Sequence, residues 1–210
     1  MSEEIFTIGY SGFTLDKFLD VLKKYVVTCV VDVRSLPKSA HFPEYNRENL
    51  SRVLNHHNIL YRNYVKEFGA RQTDRNFFTD GILDFDKFTA SPQFLDGIKK
   101  IETGMDRGYT FALMCAEKRP EDCHRCIMVA RKFHELSYDV KHILADGSTI
   151  EQSGVEKILL DKYFPKRNQL SLFEAPNEEE LIRQAYHKRN MEIGYKPEES
   201  NESNFYNRLY

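Results

Sequence analysis

The sequence predicts an α/β protein: a Rossmann-like, mostly parallel sheet with helices on both faces, followed by a partly mobile C-terminal tail. Three observations carry that expectation. Val26–Val33 (VVTCVVDV) is an almost unbroken β-branched run, as found in a strand covered on both faces. Tyr109–Cys115 (YTFALMC) is a second strong strand. Such runs alternate with segments whose apolar residues recur at helical spacing, which implies parallel pairing through right-handed crossovers.

The elements follow in order. Ile5–Ile8 is β-prone and stops at the turn Gly9-Tyr10-Ser11-Gly12. Thr14 caps a helix carrying Leu15, Phe18, Leu19 and Leu22 on one stripe. After the Val26–Val33 strand and Pro37, a helix opens at Asn46 and runs to about His57, and Ile59–Tyr64 is another strand. Residues 66–92 look irregular. Ser91-Pro92 caps a helix to about Met105, with proline in its first turn. Cys123–Leu136 is helical, and Asp139–Leu144 is a strand closed by Ala145-Asp146-Gly147. We place the α/β domain at residues 1–165. Residues 166–210 are read as a linker, a short helix over Asn177–Met191 and a mobile tail.

Composition narrows the function. With 30 Lys+Arg against 32 Asp+Glu the formal charge is −2, which argues against a polybasic binder but permits a local basic groove. Apolar residues make up 41% of the chain, enough for a real core. No apolar run approaches the roughly 18 residues of a membrane helix, and Met1-Ser2-Glu3-Glu4 is no signal sequence. Four cysteines (Cys29, Cys115, Cys123, Cys126) are too few for a disulfide scaffold of this length. A cytoplasmic protein with no membrane partner is expected.

Ligands of open α/β sheets sit beyond the carboxyl ends of the strands. Three predicted strands end in reactive or polar residues: Gly9, Tyr10 and Ser11; Asp32, Arg34 and Ser35; and Cys115 and Glu117, followed by Lys118, Arg119, Cys123, His124 and Arg125. A parallel sheet opens all three clusters on one edge. Cys115 or Cys123 reads as a nucleophilic thiolate, with His124 as acid/base and Arg125 as an anion clamp. The alternative is packing: Cys115 as the last residue of a buried strand, Cys123 and Cys126 against the following helix. Metal ligation is the third option, although Cys115, Cys123 and His124 lack the paired C-x2-C spacing of structural zinc sites and no fourth ligand is evident. No metal or cofactor is assigned. Asp32 and Arg34 share a sheet face and serve either substrate or a structural ion pair. Arg71, after Phe68-Gly69-Ala70, is a candidate anion-binding lid, and His142 reads as a satisfied core histidine.

The motifs Thr7-Ile-Gly-Tyr-Ser11, Val31-Asp-Val-Arg-Ser35 with Pro37, Phe68-Gly-Ala-Arg71, and Cys115-Ala-Glu117 followed by Cys123-His-Arg125 resemble the prokaryotic domain-of-unknown-function family numbered 488, over roughly residues 5–145. Members often carry His where this chain has Tyr10. The resemblance implies an α/β domain with these motifs in one pocket, and no reaction. The Asp-Val-Arg strand end and the Cys-ended strand with its Arg-containing loop also resemble a rhodanese, whose loop cysteine carries a persulfide. The loop here, Cys115 to Arg125, is longer than in rhodaneses.

Gln169-Leu-Ser-Leu-Phe173 resembles the pentapeptide by which bacterial replication and repair proteins bind the sliding clamp. Gln169 would supply hydrogen bonds, while Leu170, Leu172 and Phe173 are the apolar contacts, with Leu172 and Phe173 as anchors. The leading expectation is a protein acting on nucleic acid or nucleotides. Cys115, Glu117, Cys123 and His124 form its reactive centre, and Gly9, Tyr10, Ser11, Asp32, Arg34, Ser35, Arg71, Lys118 and Arg125 bind the phosphorylated substrate. The alternatives are a rhodanese-like thiol enzyme acting on a small molecule by sulfur transfer or phosphatase chemistry, or a non-catalytic nucleotide-binding module.

Overall fold

The structure, a computed structural model, describes residues 4–167 and 177–197. Its first half runs β1 (Glu4–Gly9), α1 (Leu15–Lys24), β2 (Cys29–Asp32), α2 (Arg47–His56), β3 (Leu60–Asn63) and the short α3 (Val65–Phe68). A hairpin of β4 (Phe78–Thr79) and β5 (Ile82–Leu83) leads to α4 (Phe85–Thr89), α5 (Pro92–Asp106) and β6 (Phe111–Cys115). A π-helical segment, Arg125–Ala130, then runs directly into α6 (Arg131–Glu135). β7 (Asp139–Ile143), β8 (Thr149–Glu151), α7 (Gln152–Tyr163) and α8 (Glu178–Ile193) complete the described residues.

The sheet order is β3-β2-β6-β1-β7-β8. The first five strands pair in parallel, and β8 returns antiparallel on β7. The expected α/β, Rossmann-like architecture is therefore present. Side chains alternate between two cores with the period of two that a strand imposes. Ile5, Cys29, Val31, Phe111, Leu113 and Cys115 face the helices α5, α6, α7 and α8. Phe6, Ile8, Val30, Ala112 and Met114 face α1 and α2.

Local chemistry explains the helix starts. Thr14, Ser91 and Asn177 each accept a backbone N–H of the first turn, as their positions predict. Three stretches differ from expectation, and a fourth adds elements. The second strand begins only at Cys29, because α1 runs to Lys24 and the chain reverses at Val26 (φ 53°), an uncommon conformation for a β-branched residue. Residues 66–92 hold α3, the β4–β5 hairpin and α4 rather than irregular chain. The helix expected from Cys123 opens with a π turn, and Arg125 through Ala130 are all buried. β8 and α7 fill residues that carried no expectation.

α8 belongs to the core. Ala185 and Tyr186 sit in the main apolar cluster. Asn190 Oδ1 accepts Phe85 N (2.9 Å), and its Nδ2 donates to the Leu83 carbonyl (2.8 Å). Arg189 donates to the Glu121 carbonyl (2.7 Å) and pairs with Asp122. Gln169–Phe173 lies outside the described residues.

Candidate functional site

β6 lies between β1 and β2, so the carboxyl ends of all three strands abut. Cys115 is the last residue of β6. The loop that follows folds back through a 3-10 turn, Pro120–Asp122, whose Pro120 carbonyl accepts Cys123 N (3.1 Å). This reversal returns Cys123 and His124 to the end of the strand they left. His124 Nδ1 stands 3.8 Å from Cys115 Sγ and 4.0 Å from Cys123 Sγ, and Cys123 Sγ lies 2.9 Å from Glu117 Oε2. His124 Nε2 donates to the Val33 carbonyl (3.0 Å), an acceptor only, so its other ring nitrogen faces the two sulfurs.

Beneath this cluster lies Arg125, wholly buried. Its Nη1 donates to the Glu117 carbonyl (2.6 Å), its backbone N to Cys123 Sγ (3.4 Å) and its Nε to Thr7 Oγ1 (3.4 Å). Nη2 has no protein partner among the described residues. From Thr7 a buried polar chain continues away from the cluster. Thr7 donates to His142 Nδ1 (2.8 Å), His142 Nε2 donates to Gln152 (2.8 Å), and Gln152 donates to the Tyr186 hydroxyl (2.6 Å). His142 is the satisfied core histidine expected from sequence, and burial with Arg125 nearby pulls its pKa down to about 3.

The two sulfurs differ electrostatically. Burial pushes the Cys115 thiol well up, and the neighbouring Cys123 adds to the effect. Burial opposes ionisation of Cys123 too, but hydrogen bonding from Cys115, the Arg125 charge and His124 outweigh it and hold Cys123 well below the ordinary thiol range. Of the two sulfurs Cys123 is the more readily ionised, and burial together with Cys123 raises the Glu117 carboxyl that lies against it.

Above the cluster opens a cleft of about 450 Å³. Cys115, Glu117 and His124 line it, together with Tyr10, Arg34, Ser35 and Arg71 of the sequence-derived set. Lys38 and Arg71 supply charge on its walls. Arg71 N donates to Ser35 Oγ (2.9 Å) and its guanidinium lies over the Tyr195 ring (5.7 Å). Tyr10 stacks on Tyr45 (4.4 Å between centroids) with the Arg34 guanidinium 5.0 Å from its own ring.

The other expected residues sit behind or beside the cleft. Asp32 is fully buried, held by Arg34 in a bidentate pair (2.8 and 2.5 Å) and by the Tyr61 hydroxyl (2.6 Å). Gly9 abuts the Glu117 carbonyl, and Ser11 N donates to the Ala116 carbonyl (3.1 Å). Cys123 and Arg125 lie under the floor, and Lys118 packs near Gly12, outside the lining. Sequence reasoning missed Ile193 and Tyr195, which reach the cleft from the end of α8. Their only local signal is Gly194 between two apolar residues, where an added Cβ would meet Ile82 Cγ2 at 2.5 Å.

No curated protein and no solved structure matches this chain. A family model described as "Domain of unknown function DUF488" matches residues 14–131, more than half of the 210 residues. The matched span holds β2, β6 and the Cys115–Arg125 loop, while the Thr7–Ser11 motif precedes it. On that match, covering the loop that builds the cluster, the chain belongs to the DUF488 family of domains of unknown function.

Proposed function

We propose that the cleft binds a phosphate-bearing ligand, a nucleotide or a nucleic-acid strand, and presents it to the cluster of Cys115, Glu117, Cys123 and His124. One observation carries this reading: the cations Lys38 and Arg71 stand on the walls of the same cleft that Cys115, Glu117 and His124 line. Cationic side chains position a phosphate backbone, while the half-buried Tyr195 lining the same cleft offers an aromatic surface for a base. A formal charge of −2 for the whole chain makes such binding local to the cleft and sensitive to salt.

Gln169–Phe173 would bring this cleft to DNA by docking in the apolar pocket of a sliding clamp. The sulfur-transfer reading has less support, since the thiol lining the cleft, Cys115, is the one that burial pushes up. The test is fluorescence-polarisation binding of a labelled single-stranded oligonucleotide to the full chain and to a Lys38→Ala/Arg71→Ala double variant. Binding weakened at least tenfold in the variant supports the reading, and equal binding or none by the intact chain rejects it. A parallel titration with a bacterial sliding clamp, with Phe173→Ala as control, tests the recruitment step.

A further inference from the structure

We propose that Cys115, Glu117, Cys123 and His124 bind one borderline-soft divalent ion of the zinc class. Their four donor atoms lie within 4.8 Å of one another. A tetrahedral ion with bonds of roughly 2.3 Å to sulfur and 2.1 Å to nitrogen spans an S–N edge of about 3.6 Å. The observed edges from His124 Nδ1 are 3.8 and 4.0 Å, close to that value, while Cys123 Sγ and Glu117 Oε2, now 2.9 Å apart across a thiol hydrogen bond, would separate as an ion replaces the proton.

The surroundings fit an ion as well as the donors do. Metal-binding histidines commonly give their second ring N–H to a backbone carbonyl, which fixes the tautomer. His124 does this to Val33. The Arg125 backbone N–H points at Cys123 Sγ, and its guanidinium is wholly buried beside the cluster. Two thiolates, one carboxylate, a neutral imidazole and a divalent cation sum to −1, which the Arg125 charge cancels. Without an ion, two sulfurs and a carboxylate crowd one buried cation and one imidazole. Sulfur donors select against magnesium and calcium, which prefer oxygen.

Linear spacing hid this arrangement, because Cys123 and His124 rejoin Cys115 and Glu117 only through the loop reversal at Pro120–Asp122. Glu117 is also the exposed member of the four. Exchange of that ligand for a water or substrate oxygen would therefore occur on the cleft side, where the loss of a single carboxylate bond opens a coordination position. The ion stands independently of the phosphate reading, since neither Lys38 nor Arg71 takes part in its binding.

The experiment is titration of the reduced, chelator-treated full chain with cobalt(II), followed by displacement with zinc. The expected result is one equivalent, with a thiolate-to-cobalt charge-transfer band and the intense visible bands of a tetrahedral site. Cys123→Ser or Cys115→Ser should abolish the charge-transfer band or weaken zinc affinity by more than about 100-fold, beyond what loss of an outer hydrogen bond does. Cys126→Ser, whose sulfur packs against His142 and Gln152, should bind as the parent does. Glu117→Gln, at an exposed position, keeps the fold and the band while binding zinc roughly tenfold more weakly. The Lys38→Ala/Arg71→Ala chain should bind cobalt normally, which separates this result from the phosphate test. A folded, reduced parent chain with no thiolate-to-cobalt band, or a band that survives both Cys115→Ser and Cys123→Ser, overturns the proposal.

Discussion

The carbonyl oxygen of Glu117 lies 1.8 Å from where a Cβ on Gly9 would stand. Only glycine lets the end of β1 approach the loop after β6 so closely, and Arg125 Nη1 donates to that same carbonyl from below. The contact locks together the two segments that bound the cluster. Gly9→Ala must therefore displace backbone rather than a flexible side-chain tip, at a cost of roughly 3 kcal/mol. Urea denaturation of the two proteins measures this, and a loss below about 1 kcal/mol would show that the loop yields freely.

Asn190 fastens α8 to the α4 region through both ends of its amide. Asn190→Ala leaves the Phe85 N–H and the Leu83 carbonyl without that partner in a buried setting, a loss of about 2 kcal/mol or more. The same change loosens the segment that carries Ile193 and Tyr195 to the cleft, so oligonucleotide binding should weaken along with the melting temperature. A variant that melts early yet binds as the parent does would detach α8 from the cleft's function.

All four cysteines are at most 2% exposed. In the native, reduced protein none should react quickly with Ellman's reagent, whereas all four should titrate once the chain is unfolded in guanidinium. One fast-reacting thiol in the native state, lost in Cys115→Ser, would instead favour an open nucleophile and restore the sulfur-transfer reading.

His142 gives a pH signature away from the cluster. Its folded pKa of about 3 lies below the unfolded value near 6.5, so between those limits the unfolded chain binds the extra proton. Stability from keeping His142 neutral is complete above about pH 6.5 and is lost as pH falls towards 3. From pH 6.5 to 5 the parent should lose about 1.6 kcal/mol more than His142→Asn, both measured in chelator. Parallel losses in the two proteins would place the acid sensitivity elsewhere.

Much of the frame was legible because it is written in local chemistry. Thr14, Ser91 and Asn177 cap where capping residues should, and the alternation of strands and helices specified a parallel sheet. That sheet in turn groups Gly9, Arg34 and Cys115 at one edge. The role of Asp32 was not legible, because its partners Tyr61 and Arg34 meet it through the β2–β3 pairing. Glu117 was recognised but not its position against Cys123, which depends on how the Pro120–Asp122 turn reverses the loop. Tyr195 arrives from a helix that docks about eighty residues after β6, and no local pattern encodes that docking. Val26 shows the reverse failure, a β-branched run whose first residues the helix end takes for its turn.

The most direct test of the cleft's role is the salt dependence of oligonucleotide affinity, compared between the parent and the Lys38→Ala/Arg71→Ala chain. Each phosphate contact on a single strand contributes about 0.7 to the slope of log affinity against log salt. The double variant should therefore bind more weakly at every salt concentration, with a slope flatter by about 1.4. An unchanged slope would mean that neither cation touches a phosphate, and the assignment of the cleft to nucleotides or nucleic acid would fall.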